Sequence, residues 1–398
     1  MISYLLVFGA TALTAFVVTP VVRRVSILVG AIDRPSDRKV HPKPTPTLGG
    51  VALFVAVLAG MAVSHSMPYF GKLFQSSLEP LAALVGGGVV VLLGAVDDVR
   101  GTPAPVKLSG QILAAGLLVL FGVQLVYFWF PGQGILSLGS DLGVPLTILW
   151  VVAMMNAINL IDGLDGLAPG LTAIAAIAFF AYIFLTPGVY GQASPAALLS
   201  AITAGAVIGF LPWNFHPARI FMGDSGSMLL GLLLATATIS GVGRNPYPPG
   251  GGDLAAYSIP VLVPLVVLAL PFLDVVLAIA RRMRRGRKVM APDKEHIHHR
   301  LLDFGHSHRQ AVLLMYLWSA LISGSALALA LVNGRLVVGA IGGGALVIIA
   351  ATAIPRLWGG RAGRHARGRR PVTVATPPVQ EPVASPVAAP LEAKDRPA

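Results

Sequence analysis

Polar residues interrupt an otherwise apolar sequence in a few short groups, and one of them is an acidic pair. Asp97 and Asp98 are adjacent at the end of an apolar run, and Lys107 opens the next run. Two neighbouring carboxylates at a membrane boundary repel each other and are costly to desolvate, so a cation or a proton shared with a substrate would stabilise them. A solvated helix end is the simpler interpretation, but acids at a helix C-terminus oppose the helix dipole. We therefore predict a chemical role for this pair.

A second group combines amides and carboxylates at regular spacing. Asn156, Asn159, Asp162 and Asp165 recur every third residue, so neighbouring members share one side while the segment is helical. Glycines after each aspartate would break the helix and let the backbone approach a ligand. Amide and carboxylate oxygens suit a hard cation such as Mg²⁺. Hydrogen bonding between helices would explain Asn156, but it does not explain two aspartates in one short loop.

A third group, Gly223-Asp224-Ser225-Gly226-Ser227, directly precedes an apolar run and has two interpretations. Asp224 or Ser225 could cap the helix that follows. Helix N-termini also bind phosphate, and Asp224 could hold a metal ion that bridges the phosphate. The sequence leaves both interpretations open.

A fourth group of histidines lies in the longest internal loop. His296, His298, His299 and Arg300 fall within a few residues of one another, and imidazoles with nearby cations could bind a diphosphate. A zinc site is the alternative, since histidine clusters bind zinc. The spacing is not that of two histidines one helical turn apart, and the chain has no cysteine.

Three further places carry polar residues. A basic, proline-rich loop contains His41 and Lys43. A cytoplasmic location is enough to explain its positive charge, while its prolines and the following glycine pair indicate a loop of defined shape. His306 and His308 are expected on a solvated loop face. Asp274 lies inside an apolar run, where an acid needs a partner, and we favour a structural ion pair over a place in the site.

The elements that position these residues are membrane-spanning helices. The 398 residues are 55% hydrophobic and only 12% charged, with mean hydropathy +0.77. This composition excludes a soluble enzyme, a disordered protein and a disulfide scaffold, and the absence of cysteine excludes a thiol nucleophile. Runs of about 20 apolar residues recur, the length that a bilayer requires of a helix.

The fold class predicted from these runs is an all-α polytopic integral membrane protein with about eleven transmembrane helices. The predicted spans are Ile2–Val22, Leu48–Met67, Leu81–Val96, Leu108–Phe130, Leu142–Ile161, Leu167–Leu185, Pro195–Leu211, Gly226–Val242, Tyr257–Ala280, Ala311–Val332 and Leu336–Ile354.

The basic residues indicate the orientation of these spans. Of the 29 Lys and Arg residues, 26 fall on one side, where the acids assigned to chemistry also lie. By the positive-inside rule this side is cytoplasmic, with the N-terminus outside and the C-terminus inside. The net charge of +12 therefore reflects topology and requires no nucleic-acid partner. We predict a transmembrane catalytic domain over 1–355 and a tail over 356–398 that is basic, then Pro/Ala-rich, and disordered.

Taken together, the motifs resemble the polyprenyl-phosphate N-acetylhexosamine-1-phosphate transferase superfamily over about residues 23–310. The shared motifs are a His-Pro-Lys-Pro-Thr-Pro loop followed by Gly-Gly, the Asp-Asp pair with a lysine beyond it, Asn-x-x-Asn-x-x-Asp-Gly-Leu-Asp-Gly, Gly-Asp-Ser-Gly-Ser and His-Ile-His-His-Arg. The last motif, continued by Leu-Leu, resembles the branch that transfers N-acetylglucosamine 1-phosphate. Cell-wall phospho-N-acetylmuramoyl-pentapeptide transferases usually carry a Pro-x-His-His-His form that this chain lacks.

The resemblance implies an enzyme of the bacterial plasma membrane that works on the cytoplasmic face. Such enzymes move a sugar 1-phosphate from a UDP-sugar donor to a polyprenyl phosphate and release UMP, which here starts a lipid-linked cell-envelope glycan. They depend on Mg²⁺, with Mn²⁺ as a substitute, and the resemblance leaves room for a homodimer. The partners implied are therefore the donor, the lipid acceptor and the bilayer.

The resemblance also implies a role for individual residues. One of Asp97 and Asp98 would act as base or nucleophile, and Asp165 would lie near the uracil. The residues implied are Asp97, Asp98 and Lys107 for catalysis, Asn159 and Asp224 for the metal, and Asn156, Asp162, Asp165, His296, His298, His299, Arg300, His41 and Lys43 for substrate binding.

Three alternatives differ from this interpretation in kind or in donor. A phospho-N-acetylmuramoyl-pentapeptide transferase would use another UDP-linked donor. A secondary transporter would place its polar residues near the midplane, often between inverted repeats, whereas here the acids lie at one face and no repeat is visible. A structural scaffold would leave the aspartates unexplained.

Overall fold

The computed structural model describes residues 1–35, 43–130, 134–185, 193–241, 283, 306–331 and 335–353. The helices in this part of the chain are α1 (Ile2–Leu28), α2 (Gly49–His65), α3 (Gly71–Ser76), α4 (Glu79–Arg100), α5 (Ala104–Leu120), α6 (Ser140–Ile161), α7 (Leu167–Leu185), α8 (Pro195–Asn214), α9 (Gly223–Gly241), α10 (His308–Leu331) and α11 (Arg335–Ala353). The strands are β1 (Ile32–Asp33), β2 (Thr45–Pro46), β3 (Tyr127–Phe130) and β4 (Gly134–Ser137), and a 3₁₀ turn covers Pro68–Phe70.

Six of the described helices are long and apolar enough to cross a membrane, namely α1, α4, α6, α7, α8 and α10. A seventh span results if α2 is counted together with Pro68–Ser76, from which it is separated by a bend of 88°. The chain is therefore a mostly helical, multi-pass membrane protein. The predicted span Tyr257–Ala280, Asp274 within it, and the predicted tail over 356–398 lie outside the described residues, so the total of about eleven spans stays a prediction.

The predicted span Leu108–Phe130 is wrong in its second half. α5 ends at Leu120, and Gly122 follows with a φ of +88°, a left-handed conformation that glycine adopts readily at the end of a helix. The chain then forms β3, which pairs antiparallel with β4. An apolar aromatic run suits a strand as well as a helix, so hydropathy alone could not separate the two.

The prediction of a purely α-helical protein therefore needs a small correction. The described residues include two antiparallel two-stranded sheets, β1–β2 and β3–β4. The first sheet pairs Ile32 with Pro46 and Asp33 with Thr45, inside the loop that joins α1 to α2.

Helix α9 lies at the centre of the described helices, where it packs against α2, α4, α6 and α8. Its residues from Ser225 to Ile239 are buried. Glycines permit the closest approaches, because a Cβ at Gly94 of α4 or at Gly50 of α2 would overlap the backbone near Ser225. Small residues at such crossings are typical of membrane helices. The N-terminus of α9 is thus held between two other helices.

The loop between α1 and α2 is joined by backbone hydrogen bonds to the segment that precedes α9. Phe221 N donates to Pro46 O at 2.8 Å, while Gly49 N and Gly50 N donate to Phe221 O and Met222 O at 3.0 and 2.9 Å. The glycine pair predicted to shape this loop therefore lies beside the start of α9.

Candidate active site

Five predicted site residues meet where α4 and α6 end and where α5 and α9 begin. We call them the carboxylate cluster: Asp97, Asp98, Lys107, Asn159 and Asp224. Helices α4 and α6 run towards the cluster, whereas α5 and α9 run away from it. Two helix C-termini and two N-termini therefore come together at one side of the membrane. The cluster thus brings together residues of the consecutive helices α4 and α5 with residues of α6 and α9, which are distant in the sequence.

Lys107 joins two carboxylates of the cluster. Its Nζ lies 3.4 Å from Asp97 Oδ2 and contacts Asp224 Oδ2. The side chains of Lys107, Asp97 and Asp224 are 19%, 15% and 27% exposed. Charge pairs that are largely removed from water interact more strongly than pairs on an open surface. The ammonium group therefore holds together two acids that would otherwise repel each other.

Asp97 faces the turn that follows α4. Its Oδ1 accepts a hydrogen bond from Thr102 N at 2.5 Å and another from the Thr102 hydroxyl. Its Oδ2 faces Lys107. Asp97 therefore keeps one oxygen on the lysine side of the cluster, where an anionic substrate would be attracted.

Asp98 points in another direction and caps α9. Its Oδ1 accepts from Asp224 N at 2.8 Å, and its Oδ2 accepts from Ser225 Oγ at 2.8 Å and Ser225 N at 3.3 Å. Gly223 turns at a φ of +69°, and a Cβ there would overlap the Asp98 carboxylate. The free N–H groups of a helix start favour an anion. The cap expected from Asp224 or Ser225 is therefore supplied by α4.

Asp224 is left to interact with side chains. Asn159 Nδ2 donates to Asp224 Oδ1 at 2.6 Å and to Ser227 Oγ at 2.8 Å, while Asp224 Oδ2 contacts Lys107. The Asp224 carboxylate therefore contacts side chains of α5 and α6, while Asp98 caps α9; a chemical role for Asp224 stays a prediction. The pairing of Asn159 with Asp224 also places both predicted metal ligands side by side.

Asn156 lies one turn before Asn159 and makes a different set of contacts. Its Nδ2 donates to Gln111 Oε1 and to Val152 O, both at 2.8 Å. The Gln111 amide in turn donates to Met228 Sδ at 3.4 Å. These bonds link α5, α6 and α9, as the hydrogen-bonding alternative expected. A substrate contact of Asn156 stays a prediction.

Asp162 follows the last residue of α6 and lies near the carboxylate cluster. Burial, together with repulsion from the carboxylates of Asp224, Asp98 and Asp165, raises the pKa of Asp162 to about 8. A carboxyl group in such surroundings binds a proton or a cation favourably. An ionised Asp162 would therefore make the binding of a cation beside the carboxylate cluster more favourable.

Asp165 belongs to a second group, which we call the histidine cluster: Asp165, His216 and His308. Asp165 Oδ2 lies 2.7 Å from His216 Nδ1 and accepts from Ala218 N at 3.1 Å. The rings of His216 and His308 stack with centroids 4.2 Å apart. Arg309 Nε donates to His216 O at 3.1 Å. Asp165 is thus held by the segment between α8 and α9.

The prediction of a solvated face for His306 and His308 is wrong. His306 is only 8% exposed and its ring contacts Thr352 O at 3.3 Å. His308 begins α10 and packs on His216. Sequence reasoning missed His216 altogether, because a lone histidine between two helices has no local pattern, and only its contact with Asp165 reveals it.

The remaining predicted site residues are less informative. Lys43 is exposed in the loop between α1 and α2. Five predicted substrate-binding residues lie outside the described part of the chain: His41, His296, His298, His299 and Arg300. Their roles stay predictions.

The chain is similar in sequence to a known protein family and to named bacterial proteins. The sequence model of glycosyl transferase family 4 matches residues 80–242, which include the whole carboxylate cluster. The decaprenyl-phosphate N-acetylglucosaminephosphotransferase of Mycobacterium tuberculosis (strain ATCC 25618 / H37Rv) is 40% identical over 356 residues, 87% of this chain and 87% of that protein.

Two further relatives come from other bacteria. The probable undecaprenyl-phosphate N-acetylglucosaminyl 1-phosphate transferase of Bacillus subtilis (strain 168) is 38% identical over 332 residues, 83% of this chain and 86% of that protein. The undecaprenyl-phosphate alpha-N-acetylglucosaminyl 1-phosphate transferase of Salmonella typhi is 29% identical over 316 residues, 76% of this chain and 77% of that protein.

Proposed function

This chain belongs to glycosyl transferase family 4, and we propose that it transfers N-acetylglucosamine 1-phosphate from UDP-N-acetylglucosamine to a polyprenyl phosphate, releasing UMP. The observation that carries the proposal is the carboxylate cluster, in a chain similar over most of its length to transferases named for this reaction. The cluster supplies carboxylates, an amide and one ammonium group. These groups suit phosphate chemistry that needs both a cation site and a direct contact to phosphate.

The reaction joins two anions, so their repulsion is a large part of the barrier. An oxygen of the acceptor phosphate attacks the β-phosphorus of the donor, and the bond between that phosphorus and the bridging oxygen breaks. UMP leaves with the bridging oxygen. Lys107, already held between Asp97 and Asp224, is placed to stabilise the charge that develops on the transferred phosphoryl group.

The donor set fits a magnesium ion. Carboxylates of Asp97, Asp162 and Asp224 and the amide of Asn159 provide oxygen atoms, the ligands that Mg²⁺ prefers. The Lys107 ammonium already lies between two of these carboxylates, so the site accommodates a cation. Asn159 and Asp224 would hold the ion, which would neutralise charge on the donor diphosphate. Mn²⁺ offers similar chemistry and would serve as a substitute.

Asp97 and Asp98 have different roles in this proposal. Both oxygens of Asp98 accept hydrogen bonds from α9, so Asp98 positions the helix that carries Asp224. Asp97 faces Lys107, so it lies on the side of the cluster where the acceptor phosphate would be held. The second pKa of a phosphate lies near 6, so little deprotonation is needed at neutral pH. The contribution of Asp97 is then mainly positional.

A covalent phospho-aspartate is the competing mechanism. It predicts that the protein releases UMP, or exchanges labelled UMP into the donor, without any lipid acceptor. Direct attack predicts neither. Incubating the purified protein with UDP-N-acetylglucosamine and labelled UMP, with and without polyprenyl phosphate, separates the two mechanisms.

The donor is tested by a direct comparison. Purified protein, polyprenyl phosphate and Mg²⁺ are incubated with UDP-N-acetylglucosamine or with the UDP-linked muramoyl-pentapeptide, and UMP is measured. We expect release from the first donor only. Release from neither donor by a well-folded preparation would refute the enzyme assignment, and release from the second donor alone would assign the chain to the peptidoglycan branch.

The location of the reaction follows from the charge distribution. The carboxylate cluster lies at helix ends on the predicted side that carries 26 of the 29 Lys and Arg residues. We therefore assign the site to the cytoplasmic face of the bacterial plasma membrane, with the N-terminus outside. An N-terminal reporter that is active only outside the cytoplasm tests this orientation.

A further inference from the structure

We propose that the histidine cluster is a binding site for a transition-metal ion of the zinc class, separate from the magnesium site. Asp165, His216 and His308 each offer one ligand atom, and these atoms all lie within 4.8 Å of one another. Three protein ligands with one open position form a common zinc arrangement. The three residues come from three different segments, so the fold brings them together without any local motif.

The ligand types distinguish this site from the carboxylate cluster. Two imidazoles and one carboxylate favour zinc and neighbouring divalent transition metals, whereas Mg²⁺ prefers oxygen ligands alone. The carboxylate cluster contains no imidazole among its five residues. The two sites would therefore select different ions even when both are supplied.

The surroundings hold two of the ligands in place. Asp165 Oδ2 accepts from Ala218 N at 3.1 Å and lies 2.7 Å from His216 Nδ1. The backbone carbonyl of His216 accepts from Arg309 Nε at 3.1 Å. Groups that orient metal ligands in this way increase metal affinity. An ion bound to both residues would take the place of the direct contact between Asp165 and His216.

His308 supplies the movable ligand. Its Nε2 is buried and has no hydrogen-bond partner in the described part of the chain. Its ring stacks on His216 with an angle of 17° between planes. Since nitrogen lone pairs lie in the ring plane, coordination by both rings requires one ring to turn. The His308 ring loses no hydrogen bond at Nε2 when it turns, and an unpaired buried nitrogen gains a partner.

A bound ion would fasten three segments of the protein. These are the loop that carries Asp165, the segment between α8 and α9 that carries His216, and the start of α10. Tyr316 of α10 already donates to Gly166 O, so the ion would strengthen an existing contact. We therefore expect zinc to slow amide hydrogen exchange in these three segments.

The test counts zinc on the full-length protein in detergent, with no substrate present. Metal-stripped protein is dialysed against zinc with excess Mg²⁺, and bound zinc is measured by mass spectrometry. We expect His308→Ala and His216→Ala each to lose about one zinc per chain. His65→Ala is the matched control, since His65 packs on Phe74 of α3 and lies outside the cluster; it should bind as much zinc as the wild type.

The histidine-rich loop could bind zinc as well, so a double variant separates the two places. The double variant His298→Ala with His299→Ala should still bind the zinc ion that His308→Ala does not bind. Hydrogen exchange is measured on the wild type, so its result does not depend on whether the alanine variants fold. Zinc should slow exchange in peptides covering 162–170, 213–222 and the start of α10.

Two results would overturn the proposal. One is equal zinc binding by the wild type, His216→Ala and His308→Ala. The other is unchanged hydrogen exchange in the three segments after zinc is added. Neither measurement depends on turnover, so the proposal can fail while the transferase function stands.

Discussion

The carboxylate cluster and the histidine cluster lie on the same side of the membrane but are built in different ways. The first consists of acids, an amide and a lysine at the ends of four helices that meet at α9. The second joins a loop aspartate to two histidines, one in the segment before α9 and one at the start of α10. The difference is one of ligand chemistry: oxygen atoms for a hard cation and phosphate, and imidazole nitrogens for a softer ion.

The largest effect that separates the two clusters should be seen in turnover. Asp224→Asn removes the charge that Lys107 and Asn159 contact, and we expect it to lower kcat by 10²-fold or more, on the order of losing an essential electrostatic group. His308→Ala should lower kcat by less than about 10-fold, because it lies outside the reacting cluster. UMP release measures both.

The control for these variants is Asp141→Asn, an exposed acid in the first turn of α6. It should keep wild-type turnover. Comparable losses for Asp224→Asn and His308→Ala would erase the distinction between the clusters.

The next prediction separates the two neighbouring acids. Asp98→Asn and Asp97→Asn should each lower turnover by about 10²-fold. Only Asp98→Asn should also destabilise the fold, by about 1–2 kcal/mol, since it weakens the cap of α9. Thermal unfolding in detergent, followed beside UMP release, gives both quantities. Equal stability of the two variants would show that Asp98 has no capping role.

Glycine substitutions extend the comparison to the packing behind each cluster. A Cβ at Gly94 would overlap the backbone near Ser225, and a Cβ at Gly170 would overlap the ring of Tyr316. We expect either Ala substitution to cost about 1–3 kcal/mol of stability, as overpacking does. Gly94→Ala should lower turnover, whereas Gly170→Ala should lower zinc binding.

Gly116→Ala is the control for this pair, since nothing lies within 4 Å of a Cβ there. It should leave stability unchanged or slightly improved. A loss of turnover in Gly170→Ala with zinc binding intact would contradict the assignment of the two packing sites.

The last prediction concerns Asp162, which is influenced by acids of both clusters. Its pKa is raised to about 8 in the folded protein, so the folded state binds its proton more tightly than the unfolded state does. This contribution to stability is complete below the ordinary carboxyl pKa and is lost as pH rises towards 8. Without divalent cations, the wild type should lose about 1 kcal/mol per pH unit relative to Asp162→Asn between pH 5 and 8.

Thermal unfolding of the two proteins over this pH range, with a chelator present, measures the difference. Added Mg²⁺ should flatten the slope, because a bound cation stabilises the carboxylate. A slope that is the same in the wild type and in Asp162→Asn would show that this carboxyl group does not titrate there.

The sequence predicted the members of the carboxylate cluster because each lies in a short polar motif next to an apolar run. It could not predict their partners. Whether Asp97 or Asp98 faces α9 depends on the direction in which the last turn of α4 points, and this is set by the close crossing at Gly94. The capping role of Asp98 is therefore a property of tertiary packing.

The same limit explains the errors. No local pattern in the sequence links His216 to His308, and only long-range contact makes them a cluster. The predicted span over Leu108–Phe130 extends beyond the end of α5 because Tyr127–Phe130 is as apolar as a helix, although it forms β3. Apolar content locates a span well but cannot tell a membrane helix from a strand that follows it.

The backbone pairing of Gly49 and Gly50 with Phe221 and Met222 has a consequence for biogenesis. The start of α2 finds its hydrogen-bond partners only after the ribosome has made the segment that leads into α9. A nascent chain that stops after α8 has the acidic pair and the asparagines but lacks the residues that align them. The site is therefore completed late in synthesis, once α9 has been made and packs against α2, α4, α6 and α8.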